Sequence, residues 1–486
     1  MPVTSDPATI AVQSWDMLHG NLLLKGWHLA DVSFYTIDIP EYMLIEAVRG
    51  LGPGDVHVAA ALTYTLLVVL AALLAKGTKT GREGLVRVLI AAGIMIAPQV
   101  GHGVFLVLLA PDHTATGVPV LLTWLLIDRA PRRWWVPALV TVLLTWTLVG
   151  DRIALLTAVA PLILVCATRA YQSVIQRREP VAKYWYELAL GAAAVASVVL
   201  SDLAAVIIRH LGGFTLAPLP STFSGVASMT THFWWTVQGV LALFGGDFFT
   251  LKLTQPSTAL VLLHLAGLAI VVTAVVLGVR QFLRSDDLIA GGLTAAVLIN
   301  IGVYMFSTVP VSIWSGREIA GILPAAAALA GRTLAGPAIR NRVLPLLGVV
   351  GVGYLIALGY GVTRPQQPAE GQDLAGWLAA RHLSYGLSGY GFGPTTTLAS
   401  GGSIALRQVT WLPDGVRPGP EEWNNNWYEP AAHYANFVVA PVTAGASDPF
   451  TQAQVTRIFG PPVHVYHFTS QFIIMIYNKN LLEEVR

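Results

Sequence analysis

Residues 56–82 read VHVAAALTYTLLVVLAALLAKGTKTGR, a predominantly apolar run followed by a short basic segment. A helix of about 20 predominantly apolar residues is long enough to cross the hydrocarbon core of a bilayer. The stretch therefore predicts a membrane-spanning helix over 56–75. Lys76, Lys79 and Arg82 follow at one end of that helix.

The composition of the whole chain agrees with this interpretation. Of the 486 residues, 54% are hydrophobic and only 12% are charged, and the mean hydropathy is +0.62. An ordinary globular domain carries about 25% charged residues. The composition therefore indicates a polytopic membrane protein and excludes both a disordered chain and a cytosolic enzyme.

Charge and cysteine content narrow the function further. The formal net charge of +2 gives no electrostatic case for binding nucleic acid. The single cysteine, Cys166, excludes an intramolecular disulfide framework and a cysteine-based metal cluster.

Apolar runs near the length of a membrane span recur along the chain. We predict ten spans, at roughly 56–75, 85–103, 114–128, 134–150, 153–168, 186–208, 257–279, 287–307, 317–332 and 343–363. The predicted fold class is an all-α polytopic membrane protein of about 10–11 transmembrane helices, with a small extracytoplasmic α/β domain at the carboxy-terminal end.

The basic residues predict the orientation of these spans. Of the 29 Lys and Arg residues, 16 fall in the connections after spans one, three, five, seven and nine. The positive-inside rule assigns such connections to the cytoplasm. The residues are Lys76, Lys79, Arg82, Arg87, Arg129, Arg132, Arg133, Arg169, Arg177, Arg178, Lys183, Arg280, Arg284, Arg332, Arg340 and Arg342.

This alternation predicts a multi-pass plasma-membrane protein with both termini outside the cytoplasm. Residues 1–20 lack the basic and apolar regions of a signal peptide. Either the amino-terminal segment is translocated with the first span, or a further span precedes it. We expect the preceding span.

Three segments follow from the spans. Residues 1–55 are predicted to form an extracytoplasmic first loop, 56–363 the transmembrane helical domain, and 364–486 the extracytoplasmic α/β domain. Within the third segment, strand-like runs lie at 403–411, 436–440 and 463–477, after an amphipathic helical stretch near 373–385. The aromatic-rich connection 209–256 predicts either an interfacial helix or a re-entrant pair.

The first loop is rich in acids interleaved with Trp, Tyr and His. Carboxylates at a membrane surface can act as a general base or hold a divalent cation, and aromatic rings suit sugars or an isoprenoid chain. The alternative is a solvated loop whose acids face water. The acids are Asp6, Asp16, Asp31, Asp38 and Glu41.

Two other predicted outer connections carry candidate binding residues. Asp112 and His113 are adjacent and next to a span, which suits a metal or a phosphate; alternatively, Asp112 caps the following helix. Arg317 and Glu318 lie where span nine is predicted to begin. Arginine is well shaped for phosphate, and the alternative is an ion pair between spans.

Weaker candidates lie elsewhere. Arg209 and His210 close span six, where Asp202 is a plausible salt-bridge partner. Asp151 and Arg152 predict a tight turn. In the tail, Trp423, Trp427 and Tyr428 form either a sugar-binding platform or a small hydrophobic core. The sequence contains no phosphate-loop, nucleophile-elbow or zinc-helix motif, so no nucleotide is expected.

The first loop resembles that of the GT-C glycosyltransferases, integral membrane enzymes that use polyprenyl-phosphate sugars. The resemblance rests on an acid at Asp6, a Gly-Asn pair at 20–21, an aromatic-rich stretch, and the pattern Asp38-Ile-Pro-Glu41-Tyr42. Relatives include protein mannosyltransferases, lipid A aminoarabinose transferases, and actinobacterial mannosyl- and arabinosyltransferases. This loop departs from the family pattern in having no adjacent pair of acids.

The resemblance implies an inverting transferase with Asp6 as the general base. It places Asp31, Asp38 and Glu41 along the donor site, where Arg317, Glu318, Arg209 and His210 are further candidates for substrate binding. A divalent cation, Mg²⁺ or Mn²⁺, is expected at Asp112 and His113.

The implied partners are a polyprenyl-phosphate-linked sugar donor, a cell-wall glycan, glycolipid or protein acceptor, and membrane lipids, with no nucleic acid. The alternatives are a lipid or solute transporter or flippase, and a non-catalytic subunit of a cell-envelope complex.

Overall fold

The computed structural model describes residues 3–172, 174, 180–218, 222–249, 257–284, 287–335, 337–363, 369–442 and 450–486. The chain folds into two compact units. Unit 1 comprises Met1–Ala59, Ala205–Leu219 and Gln366–Arg486, and unit 2 comprises Ala60–Ala204 and Pro220–Pro365. The first and third of the three predicted segments are therefore grouped in one unit.

The regular elements are numbered in chain order. The α-helices are α1 Ser5–Leu18, α2 Asp38–Arg49, α3 Pro53–Lys76, α4 Gly81–Ile96, α5 Gly103–Leu108, α6 Asp112–Arg129, α7 Trp135–Gly150, α8 Ala160–Tyr171, α9 Trp185–His210, α10 Met229–Leu243, α11 Ser257–Arg284, α12 Leu288–Phe306, α13 Ile322–Leu334, α14 Pro337–Val362, α15 Gln372–Ala379, α16 Gly393–Ala399 and α17 Gln452–Phe459. The strands are β1 Trp27–Leu29, β2 Thr215–Leu216, β3 Tyr385–Ser388, β4 Ala405–Leu412, β5 Gly415–Pro418, β6 Trp423–Asn424, β7 Phe437–Pro441, β8 His464–His467 and β9 Phe472–Ile476.

A mixed sheet forms the centre of unit 1. Its strand order is β5-β4-β3-β7-β9-β8, and β3 pairs in parallel with both β4 and β7, while the other pairs are antiparallel. All five residues of β7 are buried, as expected for a strand covered on both faces. The strands predicted over 403–411, 436–440 and 463–477 are confirmed, the last as a β8–β9 hairpin.

The helix predicted near 373–385 is shorter than expected. Helix α15 ends at Ala379, and β3 begins at Tyr385. His382 between them has a φ of 54°, which a continuing right-handed helix cannot accommodate. The spacing of Leu383 and Leu387 fits the apolar pattern of a helix as well as that of a strand. The sequence therefore does not locate the boundary between α15 and β3.

Residues 1–55, predicted as the extracytoplasmic first loop, contain α1, β1 and α2. Small and apolar residues of α1, from Pro7 to Met17, are buried. Helix α1 packs on α2 and on α16 of the tail. Strand β1 pairs with β6, placing Trp27 opposite Asn424 and His28 opposite Trp423. The amino-terminal segment and the tail therefore share one core.

Unit 2 is helical, and each predicted span contains a helix. Four helices in the described part of the chain are long and apolar enough to cross a membrane: Pro53–Lys76, Trp185–His210, Thr258–Leu283 and Leu288–Phe306. Shorter apolar helices occupy other predicted spans. The predicted class, a helical membrane protein with an α/β tail, is thus confirmed.

Two span boundaries need correction. Helix α4 ends at Ile96 rather than near 103, because Ala97 precedes Pro98 and adopts an extended conformation. Span nine was predicted to begin at Arg317, but residues Ile313–Ile319 form a 3₁₀ turn and α13 begins at Ile322. The helix predicted within 209–256 is present as α10.

Helix α13 is the buried centre of unit 2. Every residue from Ile322 to Gly331 is buried, and half of these residues are alanine. Such small side chains let neighbouring helix backbones approach closely. At Gly331 a Cβ would lie only 2.4 Å from the carbonyl oxygen of Arg87 on α4. The close packing of α13 on α4 therefore requires glycine at this position.

The carboxy-terminal end of α13 carries a buried ion network. The Arg332 guanidinium donates to Asp128 at 2.8 Å, to Asp287 at 3.0 Å and to the Leu74 carbonyl at 3.0 Å. The Arg332 side chain is only 11% exposed. The network therefore joins the ends of α3, α6 and α13 to the residue that caps α12.

Some of the basic residues used to predict the orientation of the spans form ion pairs with acidic residues. Arg332 lies in this network, Arg87 contacts Glu83 within α4, and Arg169 contacts the buried Glu187. Arg177 and Arg178 lie outside the described residues. The network does bring together the connections after spans one, three, seven and nine, as the alternation predicted; the side of the membrane on which they lie stays a prediction.

Replacing Arg332 by Met should destabilise unit 2 by about 3 kcal/mol or more, because the buried carboxylate of Asp128 would lose its cation. The free energy of unfolding, measured by SDS titration of the detergent-solubilised chain, tests this. Arg152→Met is the matched control, since the Arg152–Asp202 pair is about half exposed and should cost under about 1 kcal/mol. Equal losses in the two variants would contradict the role of the network.

Candidate functional site

Asp6 lies in the first turn of α1 and is partly exposed. The Tyr390 hydroxyl donates to Asp6 Oδ1 at 2.9 Å, and Ser5 Oγ donates to the Tyr390 carbonyl at 2.7 Å. Two adjacent residues of α1 therefore contact the turn between β3 and α16. These bonds fix the orientation of the Asp6 carboxylate.

A second carboxyl group, Glu422, lies close enough to interact electrostatically with Asp6. Glu422 is only 5% exposed. Gln13 Nε2 donates to Glu422 Oε2 at 2.8 Å, and the Ala30 amide donates to Oε1 at 3.4 Å. The Gln408 side chain also donates to the Glu422 carbonyl. The tail thus contributes a buried acid to the amino-terminal segment.

Burial raises the pKa of Glu422 to about 8, and the charge of Asp6 acts in the same direction. Two neighbouring carboxyl groups in a buried site do not readily ionise together. Glu422 therefore holds a proton at neutral pH. Burial and the charge of Asp6 also raise the pKa of Tyr390, so its hydroxyl remains a donor.

A similar acid lies on α2. Glu46 is 2% exposed and accepts a hydrogen bond from the Ser14 hydroxyl of α1. Burial raises its pKa to about 8. The contact between α1 and α2 is thus polar at this point, and a protonated carboxyl group lies within it.

The other predicted acids of the first segment lie in different environments. Asp16 is structural, because its Oδ2 accepts from Asn21 and from the Trp27 indole, each at 2.7 Å. Asp38 and Glu41 lie in the first turn of α2, and Asp38 is fully buried. Asp31 lies in a bend after β1 and is partly buried.

The aromatic residues of the tail form a core rather than an open platform. Trp427 packs edge-on against Trp27, with ring centroids 4.8 Å apart, and Trp423 stacks on His28 at 4.7 Å. Tyr428 is buried and donates to the Gln408 carbonyl. The second of the two interpretations, a hydrophobic core, is therefore correct.

Unit 2 contains a second polar cluster, centred on the buried His113 at the start of α6. His113 Nδ1 lies 3.0 Å from Asp151 Oδ2, and Nε2 lies 3.1 Å from Glu318 Oε1. Asp151 also accepts from Thr116 Oγ1 at 2.5 Å and from the Ile153 amide at 2.8 Å. The ring therefore bridges two carboxylates from different connections.

Arg317 lies beside this cluster. Its Nη1 is 4.0 Å from Asp112 Oδ2, and the Arg317 side chain is 42% exposed. The structure thus brings together four residues that the sequence predicted in two separate connections: Asp112, His113, Arg317 and Glu318. Asp151, predicted only as a turn residue, belongs to the same cluster.

The predicted metal site does not fit this arrangement. Both nitrogens of His113 face carboxylates, so neither is available as a ligand, and Asp112 faces Arg317. Over the ranges that the structure describes, no group of three or more His, Cys, Asp and Glu side chains is arranged to hold a metal ion. The cluster is an ion network in which carboxylates and cations neutralise one another.

Arg209 and His210, at the end of α9, are both exposed and belong to unit 1. Asp202, suggested as their partner, is contacted by Arg152 at 2.5 Å. The sequence offered no sign of that pairing, because Arg152 lies in a different connection.

An apolar cavity of about 540 Å³ lies in unit 2 between α4, α11 and α14. Its polar lining is sparse and includes His264, whose Nε2 lies 2.8 Å from the Pro98 carbonyl. The rest of the lining is mainly aliphatic and includes Ile94, Gly267 and Leu347. Such a cavity suits a hydrocarbon chain rather than a polar ligand.

No protein-family model matches the chain, and no curated protein matches it. The chain is similar to two crystal structures of the Archaeoglobus fulgidus oligosaccharyltransferase, each with a TM-score of 0.46. The match to the structure in complex with Zn and sulfate has 11% sequence identity. It covers 91% of this chain and 64% of the archaeal chain. The match to the structure tethered to an acceptor peptide containing the NVT sequon has 12% sequence identity. It covers 90% of this chain and 65% of the archaeal chain.

The chain spans less than two thirds of the length of the archaeal enzyme.

Glu422 yields a test of the unit 1 site. Because its pKa in the folded chain lies above the usual value of a free glutamate, its contribution to stability is lost as the pH rises from about 4.5 to about 8. Glu422→Gln should remove this contribution, up to about 1.4 kcal/mol per pH unit. The variant should therefore lose less thermal stability than wild type between pH 5 and pH 8.

Thermal unfolding midpoints at the two pH values measure this difference. Glu483→Gln, at an exposed position in the same unit, is the control and should follow wild type. Parallel pH profiles for wild type and Glu422→Gln would show that Glu422 does not carry the proton.

Proposed function

We propose that this chain is a membrane glycosyltransferase that transfers a sugar from a polyprenyl-phosphate donor to an acceptor hydroxyl, with inversion at the anomeric carbon. The observation that carries the proposal is the environment of Asp6. The acid that matches the catalytic acid of the GT-C pattern is partly exposed, held by the Tyr390 hydroxyl, and near a protonated carboxyl group.

Asp6 is the proposed general base. Because burial raises the pKa of Glu422 to about 8, the acid beside Asp6 is mostly neutral at neutral pH. Tyr390 donates to one of its oxygens and so limits its rotation. A fixed carboxylate that can accept a proton from a bound hydroxyl typically contributes 10²- to 10⁴-fold to a rate. The contacts within unit 1 support this role.

The proposed reaction is a single displacement at the anomeric carbon. The acceptor hydroxyl gives its proton to Asp6 while its oxygen attacks the anomeric carbon from the face opposite the phosphate. The bond between that carbon and the phosphate oxygen breaks, and the electron pair stays on the polyprenyl phosphate. No nucleotide is needed, because the lipid phosphate is the leaving group.

Arg317 is the proposed phosphate ligand, on the contacts of unit 2 alone. Its guanidinium is about two-fifths exposed and lies 4.0 Å from the Asp112 carboxylate. A guanidinium can exchange so long a contact for paired hydrogen bonds to a phosphate. Six further residues remain proposed substrate contacts without a specific role: Asp31, Asp38, Glu41, Glu318, Arg209 and His210.

The acceptor class remains a proposal at the level of a cell-envelope glycan, glycolipid or protein on the outer face of the membrane. The transporter alternative is less favoured by unit 2, where the Arg332 and His113 ion networks lie at helix ends. An intramembrane pathway would place charges at mid-depth.

Asp6→Asn should lower transfer about a hundredfold or more, because the amide cannot accept the proton. Transfer is measured as incorporation of radiolabel from polyprenyl-phosphate mannose or arabinose by membranes containing the full chain. Asp414→Asn, an exposed position in the same unit, is the matched control and should keep full activity. Undiminished transfer by Asp6→Asn would eliminate it as the base. Lipid movement without transfer would favour a flippase.

The apolar cavity is the proposed site of the donor's hydrocarbon chain. Gly267→Leu should partly fill it without a clash, because no atom lies within 4 Å of a Cβ at this position. The KM for a long-chain donor should rise about tenfold, as expected for the loss of one or two kcal/mol of apolar contact, with kcat unchanged.

Gly348→Leu controls for the added side chain. Gly348 lies on α14 outside the cavity lining, and a Cβ there also meets no atom within 4 Å. If the two variants raise the KM equally, the cavity does not hold the donor chain.

A further inference from the structure

Unit 2 contains another imidazole–carboxylate pair, distinct from the His113 network. Asp247 Oδ2 lies 2.7 Å from His102 Nδ1 and accepts from the His102 backbone amide at 3.0 Å. Both contacts come from one residue, so the ring can take few orientations. The carboxylate of Asp247 is placed to accept a hydrogen bond from Nδ1–H. The second nitrogen, Nε2, is directed away from Asp247.

Close backbone packing creates the pair. His102 immediately precedes α5, and Asp247 follows the end of α10. At Gly103 a Cβ would lie 2.3 Å from the carbonyl oxygen of Ala242. A larger residue would therefore force α5 away from α10. The absence of a side chain at Gly103 lets His102 reach Asp247.

The ring of His102 borders an aromatic surface. Its centroid lies 5.3 Å from that of Trp314, and Phe105 meets the same indole edge-on at 5.4 Å. Trp314 is 50% exposed, and the side chain of His102 is 28% exposed. Among the described residues, His102 Nε2 has no hydrogen-bond partner. Within the described ranges, the site therefore presents an imidazole nitrogen beside accessible aromatic rings.

The 3₁₀ turn Ile313–Ile319 connects this surface to Arg317. In a 3₁₀ helix, side chains three residues apart lie on the same face, about 6 Å apart along the axis. Trp314 and Arg317 are three residues apart. The turn is held against α10 by a glycine–glycine contact in which a Cβ at Gly316 would lie 3.3 Å from the Cα of Gly239. One face of the turn thus presents an indole and a guanidinium.

We propose that His102 is a second phosphate ligand, which binds the same phosphate as Arg317, with Asp247 as its positioning residue. The ligand class is a phosphate ester that carries an apolar or sugar group, which would lie against Trp314 and Phe105. This inference rests on the proposed function, because it assumes a polyprenyl-phosphate donor.

The role is electrostatic and requires no proton transfer by the imidazole. When the bond from the anomeric carbon to the phosphate oxygen breaks, negative charge accumulates on the leaving phosphate. In the form of the ring that carries a proton on Nε2, this nitrogen donates to a phosphate oxygen, while Asp247 contacts Nδ1 on the opposite side of the ring. Preorganised donors of this kind stabilise developing charge more than they stabilise the ground state.

Binding of farnesyl phosphate to the full chain in nanodiscs tests the proposal, with farnesol as the phosphate-free probe. His102→Asn keeps an amide donor near the position of Nδ1 but nothing at Nε2. Farnesyl phosphate binding should weaken about 10- to 100-fold, the value of a hydrogen bond to a charged group, while farnesol binding stays unchanged. His102→Gln, whose amide reaches the position of Nε2, should retain more of the affinity.

Controls separate this inference from the proposed function. His467→Asn, at an exposed residue of β8, should match wild type. If Arg317→Ala loses farnesyl phosphate but both His102 variants keep it, His102 is not a ligand and the proposed function is unaffected. If wild type binds neither probe, both proposals fail.

Two further outcomes are informative. Equal loss of farnesyl phosphate and farnesol in His102→Asn would show that the histidine only supports the fold, which overturns the inference. If His102→Asn does not fold, Asp247→Asn is used for the test. This variant should weaken the binding of farnesyl phosphate but not that of farnesol. Unchanged binding of farnesyl phosphate would overturn the inference.

Discussion

The buried guanidinium of Arg332 is the interaction on which the helical unit depends. A charge removed from water is very costly unless hydrogen bonds and opposite charges replace the solvent. Arg332 obtains them from Asp128, Asp287 and the Leu74 carbonyl. Because these groups lie on separate helices, satisfying one cation fixes the relative positions of several helix ends. The alanine-rich centre of α13 then packs without needing large side chains.

At the opposite ends of α6 and α13, a buried side chain is again surrounded by groups of opposite charge. His113 begins α6 and Asp128 lies near its end, about 22 Å away at 1.5 Å per residue. His113 contacts Asp151 and Glu318, which precede α8 and α13. The polar groups of these two networks are thus concentrated at two levels, separated by apolar packing. Within unit 2, His113 and Glu318 lie at one level, and the Arg332 network lies at the other.

Local composition predicted the helices and strands whose position in the chain follows from a continuous run of residues. Long apolar runs located the helices, and short β-rich runs located the tail strands. Glu422 could not be found in this way, because it adjoins Glu421 in a polar stretch and meets Gln13 across 409 positions. The His102–Asp247 pair was missed for the same reason, since neither residue belongs to a motif. Helix α1 was not predicted, because its buried face consists largely of small residues with few large apolar side chains.

The pairing of β1 with β6 has a consequence for how the protein is made. His28 and Trp423 are neighbours in the sheet, but nearly the whole membrane domain is synthesised between them. Helix α1 can pack on α2 early in synthesis, but the face that packs on α16 stays uncovered until the tail has been made. A closure over so long a chain is slow. A chain that stops before α16 lacks the part of the tail that packs on α1.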